Sequence, residues 1–171
     1  MIELARAAIE RARNHAWRIA VAESLTGGLL ADALVSVPGA SRAFSGGIVS
    51  YDTALKHSLL GVDDQLLAKK GPVDGLVAQQ MAAGVRVACA VDGIPAAIGI
   101  ATTGVAGPDP DAQTGQLPGT VWVGVSSQLG ERAVLLSFAG CREDIRAAAV
   151  TAALAVLDEE LGALSRAFPA T

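Results

Sequence analysis

Aromatic side chains are scarce in this 171-residue chain, only 4% of it, although 51% of its residues are hydrophobic. A core must therefore be built from Ala, Val, Leu and Ile, small residues that suit close packing of helices on a sheet. Cysteine is almost missing too. Cys89 and Cys141 match no metal-ligand spacing and suggest no disulfide framework, so no metal site is expected and both read as free thiols of a cytoplasmic protein. Long apolar runs are lacking: nothing approaches the ~18 consecutive apolar residues of a membrane span, so no span is read and no membrane partner is expected. Basic charge is thin, with 13 Lys and Arg scattered among 17 Asp and Glu for a net charge of −4. A nucleic-acid partner would call for a basic face or stripe. The opening MIELARAAIERARNH has acids and a helical period, unlike the basic start and apolar stretch of a signal peptide.

The apolar periodicity is that of one layered domain over residues 1–171. Ile2, Ala5, Ala8, Ile9 and Ala12 share one face of a helix over 2–14. A short strand follows over 18–22, then a helix from Thr26 to Val37 that Pro38-Gly39 ends. A second strand covers 44–51, and short helices cover 53–61 and 63–71, with Gly61 and Gly71 as stops and Asp63 as a cap. Asp74 opens a longer helix to 90, and IPAAIGIAT (94–102) reads as a buried central strand. Residues 103–119 are rich in Gly, Pro and Asp and form no regular element. Strands over 120–127 and 132–138 make an antiparallel hairpin around Gln-Leu-Gly-Glu, and one helix covers 142–163. The fold class is α/β, with a mixed, mainly parallel sheet that ends in an antiparallel hairpin and carries helices on its faces.

In such sheets ligands sit outside the carboxyl ends of the strands. Three unusual segments fall there: AESLTGG (22–28), SYDTALKH (50–57) and ATTGVAGPDP (101–110). In the first, Thr26 is a natural helix cap, and Gly27 and Gly28 leave backbone amides free to bind an anion. Ser24 on a tight strand-to-helix turn suits a nucleophile, although G-x-S-x-G is absent. His15 sits at a helix end and His57 has no clear carboxylate orienter, so Lys56 is the remaining candidate base. Burial and the helix N-terminal field would activate it; an ordinary solvated charge is the alternative that spacing alone favours. Tyr51 can relay protons or hold the lysine. Thr102 and Thr103 add hydroxyls, and glycines from Gly104 onward offer amides to a ligand. Arg142 and Arg146, four apart on one helix face, suit a phosphate or carboxylate; pairing with Glu143 and Asp144 is the alternative. Glu23 either orients Tyr51 or Lys56 or stabilises the turn.

AESLTGG, SYDTALK with LLGV, TTGVAGPDP, LPGTVWVGV and FAGCREDIR together resemble the C-terminal domain of the competence-damage-inducible protein CinA, over about residues 4–160. That family contains stand-alone nicotinamide-nucleotide amidohydrolases. The resemblance implies hydrolysis of nicotinamide mononucleotide (NMN) to nicotinate mononucleotide and ammonia, a three-layer α/β/α fold, no metal or other cofactor, and commonly a homodimer. It makes Ser24 the nucleophile and Lys56 its base, with Tyr51 and Thr103 supporting the proton network. It also implies substrate binding by Glu23, Thr26, Gly27, Gly28, Gly104, Arg142 and Arg146, the glycine turn acting as oxyanion hole or phosphate seat. Leu25 replaces the usual Cys and points away from the turn, the Thr102-Thr103 segment departs from the usual one but keeps a hydroxyl, and Cys141 replaces the Asp that usually precedes the arginine. The larger N-terminal domain of full-length members has no counterpart here, so its pyrophosphatase activity is not expected. A non-catalytic nucleotide-binding domain is the alternative, and a depressed Lys56 pKa separates the two.

Overall fold

A computed structural model describes residues 1–169. Helix α1 (Ile2–Asn14) leads into β1 (Ile19–Glu23), then α2 (Leu29–Val35) and β2 (Phe44–Val49). Three helices follow, α3 (Thr53–Leu60), α4 (Asp64–Lys70) and α5 (Gly75–Ala88). The chain ends with β3 (Ile98–Gly104), β4 (Thr120–Ser127), β5 (Gly130–Ser137) and α6 (Arg142–Ala167). The sheet order is β2-β1-β3-β4-β5. β1 pairs parallel with both β2 and β3, whereas β4 pairs antiparallel with β3 and β5. Four of the five strands therefore point one way.

The side chains of β1 explain the layering. All five of its residues are buried. Ile19 and Val21 meet α1, α2 and α6 on one face, while Ala20 and Ala22 meet α3, α4 and α5 on the other. Because successive strand residues alternate faces, large and small side chains alternate with them. On the small-residue side α5 lies very close: a Cβ at Gly99 would sit 1.9 Å from the Ala82 carbonyl oxygen, and one at Gly124 2.0 Å from that of Ala78. Among the described residues no helix is long and apolar enough to cross a membrane.

Asp63 and Asp74 cap α4 and α5 by accepting from the amides of Gln65 and Leu76, as their positions predict, and Gly61 ends α3 in the left-handed region. Three boundaries differ from the pattern. Ile94 is exposed and bridges back to Val91 in a tight turn, so β3 starts only at Ile98 and runs on to Gly104. Pairing with β4 as far as Gly104–Val121 extends it into the polar TTG segment. The hairpin turns over two residues, since Ser127 already faces Gly130. Helix α2 begins at Leu29 instead of Thr26, for a reason that lies in the site.

Candidate active site

β1 ends at Glu23, and the next five residues turn sharply before α2 begins. Gly27 and Gly28 have φ of 59° and 101°, a conformation that glycine adopts at little cost. The Glu23 carboxylate folds beneath this turn. It accepts from the amides of Gly28 (2.9 Å), Leu30 (3.1 Å) and Ala31 (2.8 Å), so it caps α2 from inside the protein. Of the readings open for Glu23, stabilising the turn is the one its bonds satisfy, and its carboxylate is not turned to a ligand. Thr26 does not cap the helix; its hydroxyl is buried against that of Thr102 at 2.7 Å. The Gly27 amide donates to the Ser24 carbonyl. The amides of Gly27 and Gly28 are thus both committed, and neither offers an anion seat.

This anchoring leaves Ser24 on an apex. Lys56, fully buried on α3, donates from Nζ to Ser24 Oγ at 3.1 Å and to the Ser50 carbonyl at 2.7 Å. Burial lowers its pKa from the ordinary 10.5 to about 8, while Asp52 at the start of α3 pulls the other way. An amine with that pKa is neutral in a substantial fraction of molecules near physiological pH, as a general base requires.

Around the pair lies a cavity of about 210 Å³, lined by Ser24, Tyr51, Lys56, Thr103, Gly104 and Arg142 among the residues singled out from the sequence. Segments following β1, β2 and β3 thus do share one cleft. Their contacts differ from the expected network. Tyr51 is exposed and does not hold the lysine; its hydroxyl accepts from Arg142 Nη2 at 2.9 Å, across the cavity mouth. Arg142 also donates to the Gly107 carbonyl at 2.6 Å. Thr103 lines the cavity and donates its hydroxyl proton to the Pro72 carbonyl, which leaves the oxygen able to accept. Arg146 is not at the cavity, because its guanidinium grips the carbonyls of Leu25 and Thr26. Neither arginine pairs with Asp144, which accepts instead from the Cys141 amide and thiol, so Cys141 caps α6 without holding Arg142. Leu25 is no bystander: buried against Ala106, Val121, Ile145 and Ala149, it also forms a cavity wall.

Thr53 and Asp111 line the cavity as well, and neither stands out in the sequence. Asp111 comes from the long loop, which is tied down by Gln113 to the carbonyls of Leu67 and Ala68 and by Gln116 to that of Val73. The Asp-Ala-Gln-Thr-Gly-Gln run carries the turn signal, since Asp111 accepts from the Thr114 amide and hydroxyl, but not the place where it docks.

Fold and site define a three-layer α/β domain with a buried Ser–Lys pair at the carboxyl ends of parallel strands. The chain belongs to the CinA C-terminal domain family, whose model matches residues 1–161. It is 48% identical over 146 residues to a CinA-like protein of Frankia casuarinae, covering 85% of this chain and 32% of that one. It is 42% identical over 139 residues to a putative competence-damage inducible protein of Geobacillus kaustophilus, covering 81% and 32%. The chain thus spans about a third of the length of these curated relatives. A solved CinA superfamily protein from Klebsiella pneumoniae superposes with a TM-score of 0.87 at 30% identity, covering 94% of this chain and 97% of that one. A competence/damage-inducible protein from Agrobacterium tumefaciens gives 0.84 at 32% identity, covering 94% of each.

Proposed function

We propose that this protein hydrolyses the carboxamide of NMN to nicotinate mononucleotide and ammonia through a covalent intermediate on Ser24. The observation that carries this reading is the buried Lys56 Nζ at 3.1 Å from Ser24 Oγ, with its pKa brought down to about 8. When the amine is neutral, one N–H stays on the Ser50 carbonyl and its lone pair can turn to the serine. Ser24 Oγ then attacks the carboxamide carbon while its proton passes to Nζ. Collapse of the tetrahedral intermediate breaks the C–N bond, and the lysine ammonium gives that proton to the departing nitrogen, releasing ammonia. Water next attacks the ester as Lys56 takes its proton; the acyl C–Oγ bond then breaks, the lysine ammonium returns that proton to Ser24 Oγ, and the carboxylate product leaves.

The cavity is smaller than the ~300 Å³ at which sites begin to enclose a whole drug-sized ligand. It fits an amide-bearing ring, with the ribose and phosphate across the mouth. Arg142 stands at that mouth and supplies a cation for the phosphate. Ammonia release from NMN by the purified protein, with nicotinamide and nicotinamide riboside as controls, tests the reading. Activity on NMN that disappears in Ser24→Ala is the expected result. Near-normal ammonia release by Ser24→Ala overturns it, and absence of turnover by the wild type favours a non-catalytic nucleotide-binding domain.

A further inference from the structure

We propose that Arg146 is a positioning residue that orients the nucleophile turn, and that the backbone amides of Leu25 and Gly104 are the oxyanion donors. The proposal rests on Ser24 being the nucleophile and is independent of NMN being the substrate. With the amides of Gly27 and Gly28 bonded to Ser24 and Glu23, an oxyanion must be held by other groups.

Two amides at the cavity qualify. The Leu25 N–H, directly after the nucleophile, makes no hydrogen bond among the described residues, and Leu25 lines the cavity. In the nucleophile elbow of α/β-hydrolases the amide at that position is one of the oxyanion donors. Gly104 is freed by the register. Val105 donates to the Thr120 carbonyl, so alternation along the antiparallel ladder turns the Gly104 N–H away from β4 and toward β1. Ser24 donates to the Thr102 carbonyl, and a continued parallel ladder would return the Ser24 carbonyl to Gly104. The turn breaks that ladder, because the Ser24 carbonyl accepts from Gly27 instead. Gly104 is left facing the cavity, and a side chain there would strike the β4 backbone, with its Cβ 2.6 Å from the Thr120 carbonyl oxygen.

Arg146 determines whether the turn keeps this shape. Its Nε donates to the Leu25 carbonyl at 2.9 Å and its Nη2 to the Thr26 carbonyl at 3.0 Å. Both carbonyl oxygens are thereby held on the α6 side of the turn. Released, they could swing toward the reacting centre, where their negative ends would oppose a developing oxyanion. Glu23 grips the amide side of the same stretch, so the turn is held from both ends by groups of opposite charge. Place separates the two arginines: Arg142 lines the cavity, whereas Arg146 lies outside it with its guanidinium on the carbonyls of the turn.

The test is the labelling rate of Ser24 by a fluorophosphonate, followed by intact mass, in the wild type, Arg146→Gln and Arg146→Lys, with Ser24→Ala as the blank. Steady-state hydrolysis of NMN is measured in parallel. Labelling should slow by at least ~10-fold in Arg146→Gln, with partial recovery in Arg146→Lys. The value of kcat should fall in step while KM stays within about twofold. Circular dichroism and Tm show which variants are folded at the assay temperature; if Arg146→Gln is not, Arg146→Lys carries the comparison. Unchanged labelling with a raised KM makes Arg146 a substrate ligand and overturns the proposal. Unchanged labelling with unchanged kinetics overturns it as well. A wild type that labels but does not hydrolyse NMN leaves the labelling comparison decisive and rejects only the substrate. A wild type that does not label refutes the Ser24 nucleophile and this role together.

Discussion

Replacing Lys56 by Met removes a buried amine from the centre of the site while keeping an unbranched side chain of similar length. Burial holds the Lys56 pKa at about 8 in the folded state, against the ordinary 10.5. Between those two values the unfolded chain binds more protons than the folded one, so the stability of the wild type rises with pH across that window. Below about 8 the lysine is charged in both states and the full burial penalty applies. Its size is ~3 kcal/mol at pH 7, ~2 at pH 9 and ~1 at pH 10, from ~1.4 kcal/mol per pKa unit. The variant carries no such penalty. The stability difference, Lys56→Met minus wild type, should therefore shrink by ~2 kcal/mol between pH 7 and pH 10. The two lost hydrogen bonds shift that difference by a constant, so its slope isolates the lysine. Urea titrations of both proteins at pH 7, 9 and 10 measure it. A difference that does not change with pH would refute the depressed pKa, and with it the physical basis for Lys56 as a base. The same pKa requires wild-type kcat/KM to fall about tenfold per unit below pH 8.

Asp52→Asn keeps a cap for α3 but removes the charge that raises the Lys56 pKa, so the midpoint of the pH–rate profile should move to lower pH; a midpoint that stays put or rises contradicts the assignment. Glu23→Gln retains the shape beneath the turn but loses the charged acceptor for three amides, a cost of ~2 kcal/mol that calorimetry should register as a Tm lower by roughly 4–8 °C. Gly124→Ala places a Cβ 2.0 Å from the Ala78 carbonyl oxygen, so α5 must retreat from the sheet; the overpacking should destabilise the protein by ~2 kcal/mol or more, and a wild-type urea midpoint would show that this contact is not tight.

The layered α/β class was legible because periodicity and turn residues are local: Asp63, Asp74, Gly61 and Gly71 act within a few residues of themselves. The prominence of Ser24 and Lys56 was legible as well, since each lies where a strand gives way to a helix. What local pattern could not supply was the partner of each polar group. Glu23 bonds to amides five to eight residues ahead, which a strand-then-helix reading misses because it hands the cap to Thr26. Tyr51 meets Arg142 at a sequence separation of 91, and Arg146 meets Leu25 at a separation of 121. Two arginines one helical turn apart face different neighbours: Arg142 lines the cavity, while Arg146 meets the carbonyls of the turn after β1. β3 likewise runs into the TTG segment only because β4 returns beside it. By itself the sequence determined which residues carry charge, hydroxyl or backbone freedom, and which elements they begin or end. Only the tertiary structure decided which of those groups are already bonded to the chain and which still face the cavity, because hydrogen bonds are satisfied by proximity in space and the path that creates it runs through the whole sheet.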